Sequence, residues 1–107
     1  MIDVTYNRTY HMLTVKGHAQ CGAAGHDLVC AACSMLAYTF ACLCENASRA
    51  AHAGDLCIQM AEGDVRLACR PARKWARLVQ MQMDAICAGF ELLSKQEPDH
   101  VHYERLG

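Results

Sequence analysis

Apolar and polar residues alternate along the first sixteen positions of the chain. A period of two is typical of strands with one buried face, and it predicts strands over residues 1–6 and 11–16 with a turn over residues 7–10. In that register Val4 faces Leu13, and the hairpin has one apolar face. The residues that form this face are Ile2, Val4, Tyr6, Leu13 and Val15.

A second hairpin is predicted around the dipeptide Glu62-Gly63, which suits a two-residue turn. Apolar residues face each other across the two strands on one side, and Asp55 meets Arg70 as an opposite-charge pair on the other. The remaining predicted pairs are Met60 with Val65, Ile58 with Leu67, Leu56 with Cys69, and Gln59 with Arg66. Both faces are satisfied at once, so the pattern specifies the register of this hairpin.

Helical patterns occupy residues 28–51 and 71–95. Asp27 is a suitable N-cap for the first helix, and the second opens on a proline, which is favoured in a first helical turn. Apolar residues of the second helix recur at helical spacing, namely Trp75, Leu78, Val79, Ile86, Phe90 and Leu93. Beyond this helix, apolar and polar residues alternate over residues 100–105, which predicts a short final strand.

The resulting element order is ββαββα, and the short final strand follows the second helix. This order predicts an α+β fold in which both helices pack on a mixed sheet. The chain has 107 residues, which is enough for one domain, and we expect that domain to cover residues 1–107.

The segment 28–44 carries no charge, and its 17 residues reach the lower edge of a membrane-spanning helix. Most of its residues are small, so we expect a buried, closely packed helix and no membrane contact. The first residues show no basic segment followed by an apolar one, so we expect no signal peptide and a cytoplasmic protein. Cysteines in that compartment are mostly reduced.

Ten Lys and Arg against eleven Asp and Glu give a net charge of −1, which argues against a globally basic nucleic-acid binder. Five basic residues nevertheless fall within twelve positions, with no acidic residue between them. They are Arg66, Arg70, Arg73, Lys74 and Arg77. This basic cluster either contacts RNA or an acidic peptide stretch, or it is a solvated face. The sequence leaves direct RNA contact open.

Eight of the residues are cysteine. A disulfide framework, a metal site, a redox pair, a nucleophile and core packing are all compatible with that number. Cys30 has the most informative position, because free N–H groups in the first turn of a helix favour a thiolate and can bind an oxyanion. His18 lies twelve residues upstream and could act as its general base.

The segment around these two residues resembles the ribosomal-processing cysteine protease family. The resemblance lies in Gly17-His18-Ala19, in the run Gly25-His26-Asp27-Leu28-Val29-Cys30-Ala31-Ala32, and in Ser34. The rest of the chain is similar to the family in length and layout.

The resemblance implies a small homodimeric bacterial cysteine endopeptidase with His18 and Cys30 as its catalytic dyad and no cofactor. The substrate implied is the N-terminal extension of the precursor of the large-subunit ribosomal protein bL27. Asp27 and Ser34 match family positions, where Asp27 is a helix cap or a supporting acid. We expect the glycine-rich loop to order on the substrate. The residues expected to bind substrate are Gly17, Ala19, Gly22 and Gly25.

Cys33 departs from the family, in which a small aliphatic residue is expected. Together with Cys30 it makes a CxxC motif, which could form a reversible disulfide, and Cys21 is a second thiol within the loop that could reach Cys30. Replacement of an aliphatic side chain in the core explains Cys33 equally. Two further function classes stay open, namely a non-catalytic ribosome-associated binding module and a thiol redox protein using Cys30 and Cys33. A zinc site made of His18, Cys21, His26 and Cys30 has unsuitable spacing, and we expect no metal.

Overall fold

The computed structural model describes residues 1–18 and 28–107, which form five strands and two helices. Their bounds are β1 Ile2–Asn7, β2 Met12–Gly17, α1 Leu28–Arg49, β3 Ala53–Ala61, β4 Asp64–Pro71, α2 Ala76–Gln96 and β5 Val101–Leu106. A short 3₁₀ turn, Arg73–Trp75, precedes α2. The predicted element order is confirmed, including the final strand.

The strands form one sheet in the order β3-β4-β2-β1-β5. The pair β1–β5 is parallel and the other pairs are antiparallel, so the sheet is mixed. Helix α1 packs on β2, β3 and β4, whereas α2 packs on β5 and against α1. Both helices therefore shield the sheet from water, which confirms the predicted α+β fold with helices on a mixed sheet.

The core lies between the sheet and the two helices. Tyr6 of β1 and Phe40 of α1 are fully buried and meet edge to face, with ring centroids 6.2 Å apart. From α2, Val79, Met83 and Phe90 are buried in the same core. The helical spacing predicted Val79 and Phe90 on the inner face, and the structure confirms both.

A polar network joins the first strand to α2. Asp84 accepts hydrogen bonds from the Tyr6 hydroxyl at 2.7 Å and the Gln80 amide at 3.1 Å, and it pairs with the Arg8 guanidinium at 3.1 Å. Chiefly through its hydrogen bond, Arg8 holds the pKa of Asp84 below its ordinary value. Burial, followed by the hydrogen bond to Asp84, raises the pKa of Tyr6.

The register predicted for the first hairpin is wrong by two residues. Val4 pairs with Val15 rather than with Leu13, which pairs with Tyr6. Because Asn7 pairs with Met12, the turn lies one residue later than predicted. Within this turn, the Tyr10 N–H donates a hydrogen bond to the Asn7 side-chain oxygen at 3.2 Å. A shift of two residues leaves every side chain on its own face, and alternation therefore cannot distinguish the two registers.

In the second hairpin, the predicted pairs of Ile58 with Leu67, Met60 with Val65 and Gln59 with Arg66 are present. Asp55 and Arg70 form the predicted ion pair. The pairing of Leu56 with Cys69 is absent, because the register shifts between Gly54 and Cys57, where Asp55 has a φ of 49°.

The predicted apolar face is only half buried at this end of the sheet. Strand β3 is an edge strand, and Leu56 and Ile58 remain exposed. Two helix boundaries also differ. Helix α1 ends at Arg49, with Ala51 in a left-handed turn, and Pro71 ends β4 instead of opening α2.

Helix α1 is long and apolar enough to cross a membrane by length and composition. In the structure its inner face is buried in the domain core, as expected for a closely packed helix. The buried residues are Val29, Cys33, Ala37, Phe40, Ala41, Cys44 and Ala47. Its outer face leaves Leu28, Met35 and Tyr38 exposed.

Candidate active site

A cavity of about 660 Å³ opens between the start of α1, the end of β2 and the β3–β4 turn. Four of the residues predicted for the site line it, although they come from two separate parts of the chain. These are Gly17, His18, Cys30 and Ser34. The described structure therefore brings the proposed nucleophile and the proposed base to one cavity.

His18 directly follows β2, where it is held by backbone contacts on two sides. The N–H of Gly17 donates to the carbonyl of Gly63 at 3.0 Å, and the Met1 amino group donates to the His18 carbonyl at 2.7 Å. Gly17 has a φ of +93°, a conformation that glycine adopts without strain. These contacts fix the direction in which the chain leaves β2.

The imidazole of His18 lies against Gly63 in the β3–β4 turn. A Cβ atom built on Gly63 would stand 2.7 Å from Nε2 and 3.2 Å from Cε1 of His18. Any side chain at this position would displace the ring. The turn was predicted from the sequence, but its place in the site was not, because nothing in the local pattern relates residue 63 to residue 18.

Cys30 is the third residue of α1 and is half-buried. This places it in the first helical turn, as predicted, where backbone N–H groups have no partner within the helix. An oxyanion formed beside Cys30 could accept hydrogen bonds from these groups.

The next turn of α1 contributes two more residues to the cavity wall. Ser34 is exposed there, so its hydroxyl is available to a peptide. Cys33 is only 4% exposed and packs in the core. This burial agrees with the interpretation of Cys33 as a replacement for an aliphatic side chain.

The remaining predicted site residues lie outside the described part of the chain. They are Ala19, Cys21, Gly22, Gly25, His26 and Asp27. The helix cap, the glycine-rich loop and the second candidate thiol are therefore still predictions. Within residues 1–18 and 28–107, no group of three or more His, Cys, Asp and Glu side chains is placed to hold a metal ion.

Three other cysteines, away from the cavity, are buried in the core, namely Cys44, Cys69 and Cys87. The neighbouring Cys69 thiol and burial raise the pKa of Cys44. Burial raises the pKa of Cys87 to about 12. Cys57 is half-buried, and Cys42 is exposed.

A family model described as cysteine protease Prp matches residues 1–102. No curated protein matches the chain in sequence. A protein from Streptococcus mutans, SMU.848, has a similar structure with a TM-score of 0.65 and 21% identity, over 98% of this chain and 91% of that one.

Two structures of the essential ribosomal processing protease Prp from S. aureus are also similar. The one with a covalently linked product peptide has a TM-score of 0.67, and the one with a substrate peptide has a TM-score of 0.64. Each is 18% identical to this chain, and each match covers 97% of this chain and 96% of the S. aureus chain. At this identity the likeness concerns the fold.

Proposed function

We propose that this chain, which belongs to the cysteine protease Prp family, cleaves peptides with Cys30 as nucleophile and His18 as general base. The observation that carries the proposal is the shared cavity. His18 ends one strand and Cys30 begins a helix, yet both side chains line the same space. A thiolate and an imidazole at one site are the parts required for acyl transfer.

The chemistry follows from the position of each group. His18 takes the thiol proton, and the Cys30 sulfur attacks the scissile carbonyl carbon to give a tetrahedral oxyanion. N–H groups of the first turn of α1 stabilise that oxyanion. His18 then protonates the departing amine, a thioester remains on Cys30, and water hydrolyses it with His18 again acting as base.

The substrate we propose is the N-terminal extension of the bL27 precursor. Support comes from the S. aureus ribosomal processing protease of similar fold, whose two structures contain a product peptide and a substrate peptide. A cavity of about 660 Å³ beside an exposed serine suits a short extended peptide. A ribosomal precursor as substrate also favours a cytoplasmic enzyme.

We further propose a homodimer, formed through one apolar surface. Helix α1 exposes uncharged residues between positions 28 and 42, and the neighbouring edge strand β3 exposes two apolar side chains. The apolar members of this surface are Leu28, Met35, Tyr38, Leu56 and Ile58. An unpaired edge strand beside an apolar helix face invites a second copy of the chain.

The test of the proposed protease is cleavage of a synthetic peptide that spans the precursor junction. Cys30→Ser should abolish cleavage, and His18→Ala should reduce kcat by about 10²-fold or more. Cys33→Ala is the matched control, because it removes a thiol one turn away and should leave most of the activity. Melting temperatures confirm that each variant is folded.

Three results would contradict the proposal. Full activity of Cys30→Ser would exclude Cys30 as the nucleophile. Absence of cleavage by the wild-type protein would favour a non-catalytic ribosome-associated module. Equal loss in Cys30→Ser and Cys33→Ala would favour a thiol pair over a dyad.

A further inference from the structure

Four exposed cations surround the start of α2. Arg70 lies near the end of β4, Arg73 and Lys74 belong to the 3₁₀ turn, and Arg77 lies in the first turn of α2. The 3₁₀ turn and the first turn of α2 contain no acidic residue. Positive charge near a helix N-terminus opposes the helix dipole, so this arrangement costs stability rather than adding to it.

Most of these charges are unbalanced within the protein. Arg70 pairs with Asp55, and both side chains are largely exposed. In the described part of the chain, no ion pair joins Arg73, Lys74 or Arg77 to a carboxylate. A net charge of −1 for the whole chain therefore conceals a strongly positive surface at this corner.

A rigid aromatic pair lies among the cations. The His52 and Trp75 rings stack with centroids 3.8 Å apart and an interplanar angle of 25°, and both remain partly exposed. The backbone of His52 is held twice, since its N–H donates to the Ala47 carbonyl at 2.8 Å and its carbonyl accepts from Ala72 at 2.7 Å. The Lys74 ammonium lies 5.6 Å from the Trp75 ring centroid.

We propose that this corner binds single-stranded nucleic acid. Arg70, Arg73, Lys74 and Arg77 would contact phosphates, and an unpaired base would pack beside the stacked rings. Proteins that bind single strands combine a positively charged surface with aromatic side chains on which bases stack. An acidic peptide would satisfy the cations but would leave the rings without a role, so the rings favour nucleic acid.

The proposal is independent of the protease chemistry, because none of these residues lines the cavity of His18 and Cys30. Trp75 is the single tryptophan of the chain, so its fluorescence reports directly on this corner. The wild-type protein is titrated at low salt with an oligouridylate of about twelve nucleotides and, separately, with an oligoglutamate peptide. We expect saturable quenching by the oligouridylate and little response to the peptide.

Matched variants separate this corner from general charge. Arg73→Gln with Arg77→Gln should weaken binding by about tenfold or more and lower the slope of log affinity against log salt by about 1.4. Lys95→Gln with Arg105→Gln removes the same charge elsewhere. Lys95 lies about 27 Å along α2 from Arg77. This control should change affinity by less than about twofold.

Three results would overturn the proposal. The first is the absence of saturable quenching by the oligouridylate. The second is equal weakening in both double variants, which would reflect net charge alone. The third is equal or stronger binding of the oligoglutamate, which would identify an acidic-peptide surface. Melting curves of each variant exclude loss of folding as the cause.

Discussion

Gly63 lies directly against the imidazole of His18, with space for a hydrogen atom but not for a methyl group. A Cβ atom at residue 63 would approach His18 Nε2 to 2.7 Å. The same turn accepts a hydrogen bond from the Gly17 N–H. The β3–β4 turn thus sets the position of a side chain that lies 45 residues earlier in the chain.

Gly63→Asn should therefore impair catalysis more than folding. Asparagine tolerates the left-handed φ of +73° at this position, so we expect little backbone strain, but its Cβ displaces the imidazole. We expect kcat for the junction peptide to fall about tenfold or more, with a small change in melting temperature. Gly54→Ala is the control, because nothing lies within 4 Å of a Cβ there. Unchanged kcat in Gly63→Asn would show that the contact does not position His18.

Alkylation should distinguish Cys30 from the packed thiols. At pH 6–7 we expect iodoacetamide to label Cys30 first, since it lines an open cavity at the start of a helix. Burial raises the pKa of Cys87 to about 12, and Cys44 is also buried, so both should react only after unfolding. Tandem mass spectrometry assigns each site. Cys30→Ser should lose the fast phase, and uniform slow labelling of the wild type would contradict an accessible, reactive Cys30.

The network around Asp84 should make stability depend on acid pH. Because Arg8 lowers the pKa of Asp84 in the folded state, its contribution is present above the unfolded pKa of about 3.9 and is lost as the pH falls through the folded value. At pH 7, Asp84→Asn should lower the free energy of unfolding by about 1 kcal/mol, a modest value for a half-exposed pair.

Urea unfolding of wild type and Asp84→Asn at a series of pH values measures this effect. The difference between the two proteins should shrink below about pH 4. Asp99→Asn supplies a control, since Asp99 is exposed and forms no ion pair within the described residues. A difference between wild type and Asp84→Asn that stays constant from pH 7 to pH 2 would contradict the role of ionised Asp84.

The proposed dimer surface is tested by a charge placed on the edge strand. Ile58 is 38% exposed on β3, and Ile58→Lys should convert a dimer into a monomer, because a lysine there would be buried without a partner. Leu92→Lys introduces the same charge on α2, where Leu92 is 57% exposed. This control should keep the molecular mass of the dimer in solution. Light scattering after gel filtration measures both. A dimeric Ile58→Lys protein would place the interface elsewhere.

Much of the fold could be predicted because its signals are local. Alternation located the strands, and helical spacing located α2, since both arise from neighbours along the chain. The register of the first hairpin could not be predicted in this way, because a shift of two residues preserves every face. The exposure of Ile58 also escaped prediction, because only the order of strands makes β3 an edge.

In the candidate site, too, local features could be predicted from the sequence, whereas contacts between distant residues could not. The elements, the helix-start position of Cys30 and the resemblance that singled out His18 all follow from the order of residues. Three relationships appear only in the folded chain: both side chains share a cavity, Gly63 lies against the imidazole, and His52 stacks on Trp75. These relationships join residues that are far apart in the chain. They depend on how β3, β4 and the helices pack together, and no local pattern of residue types encodes that packing.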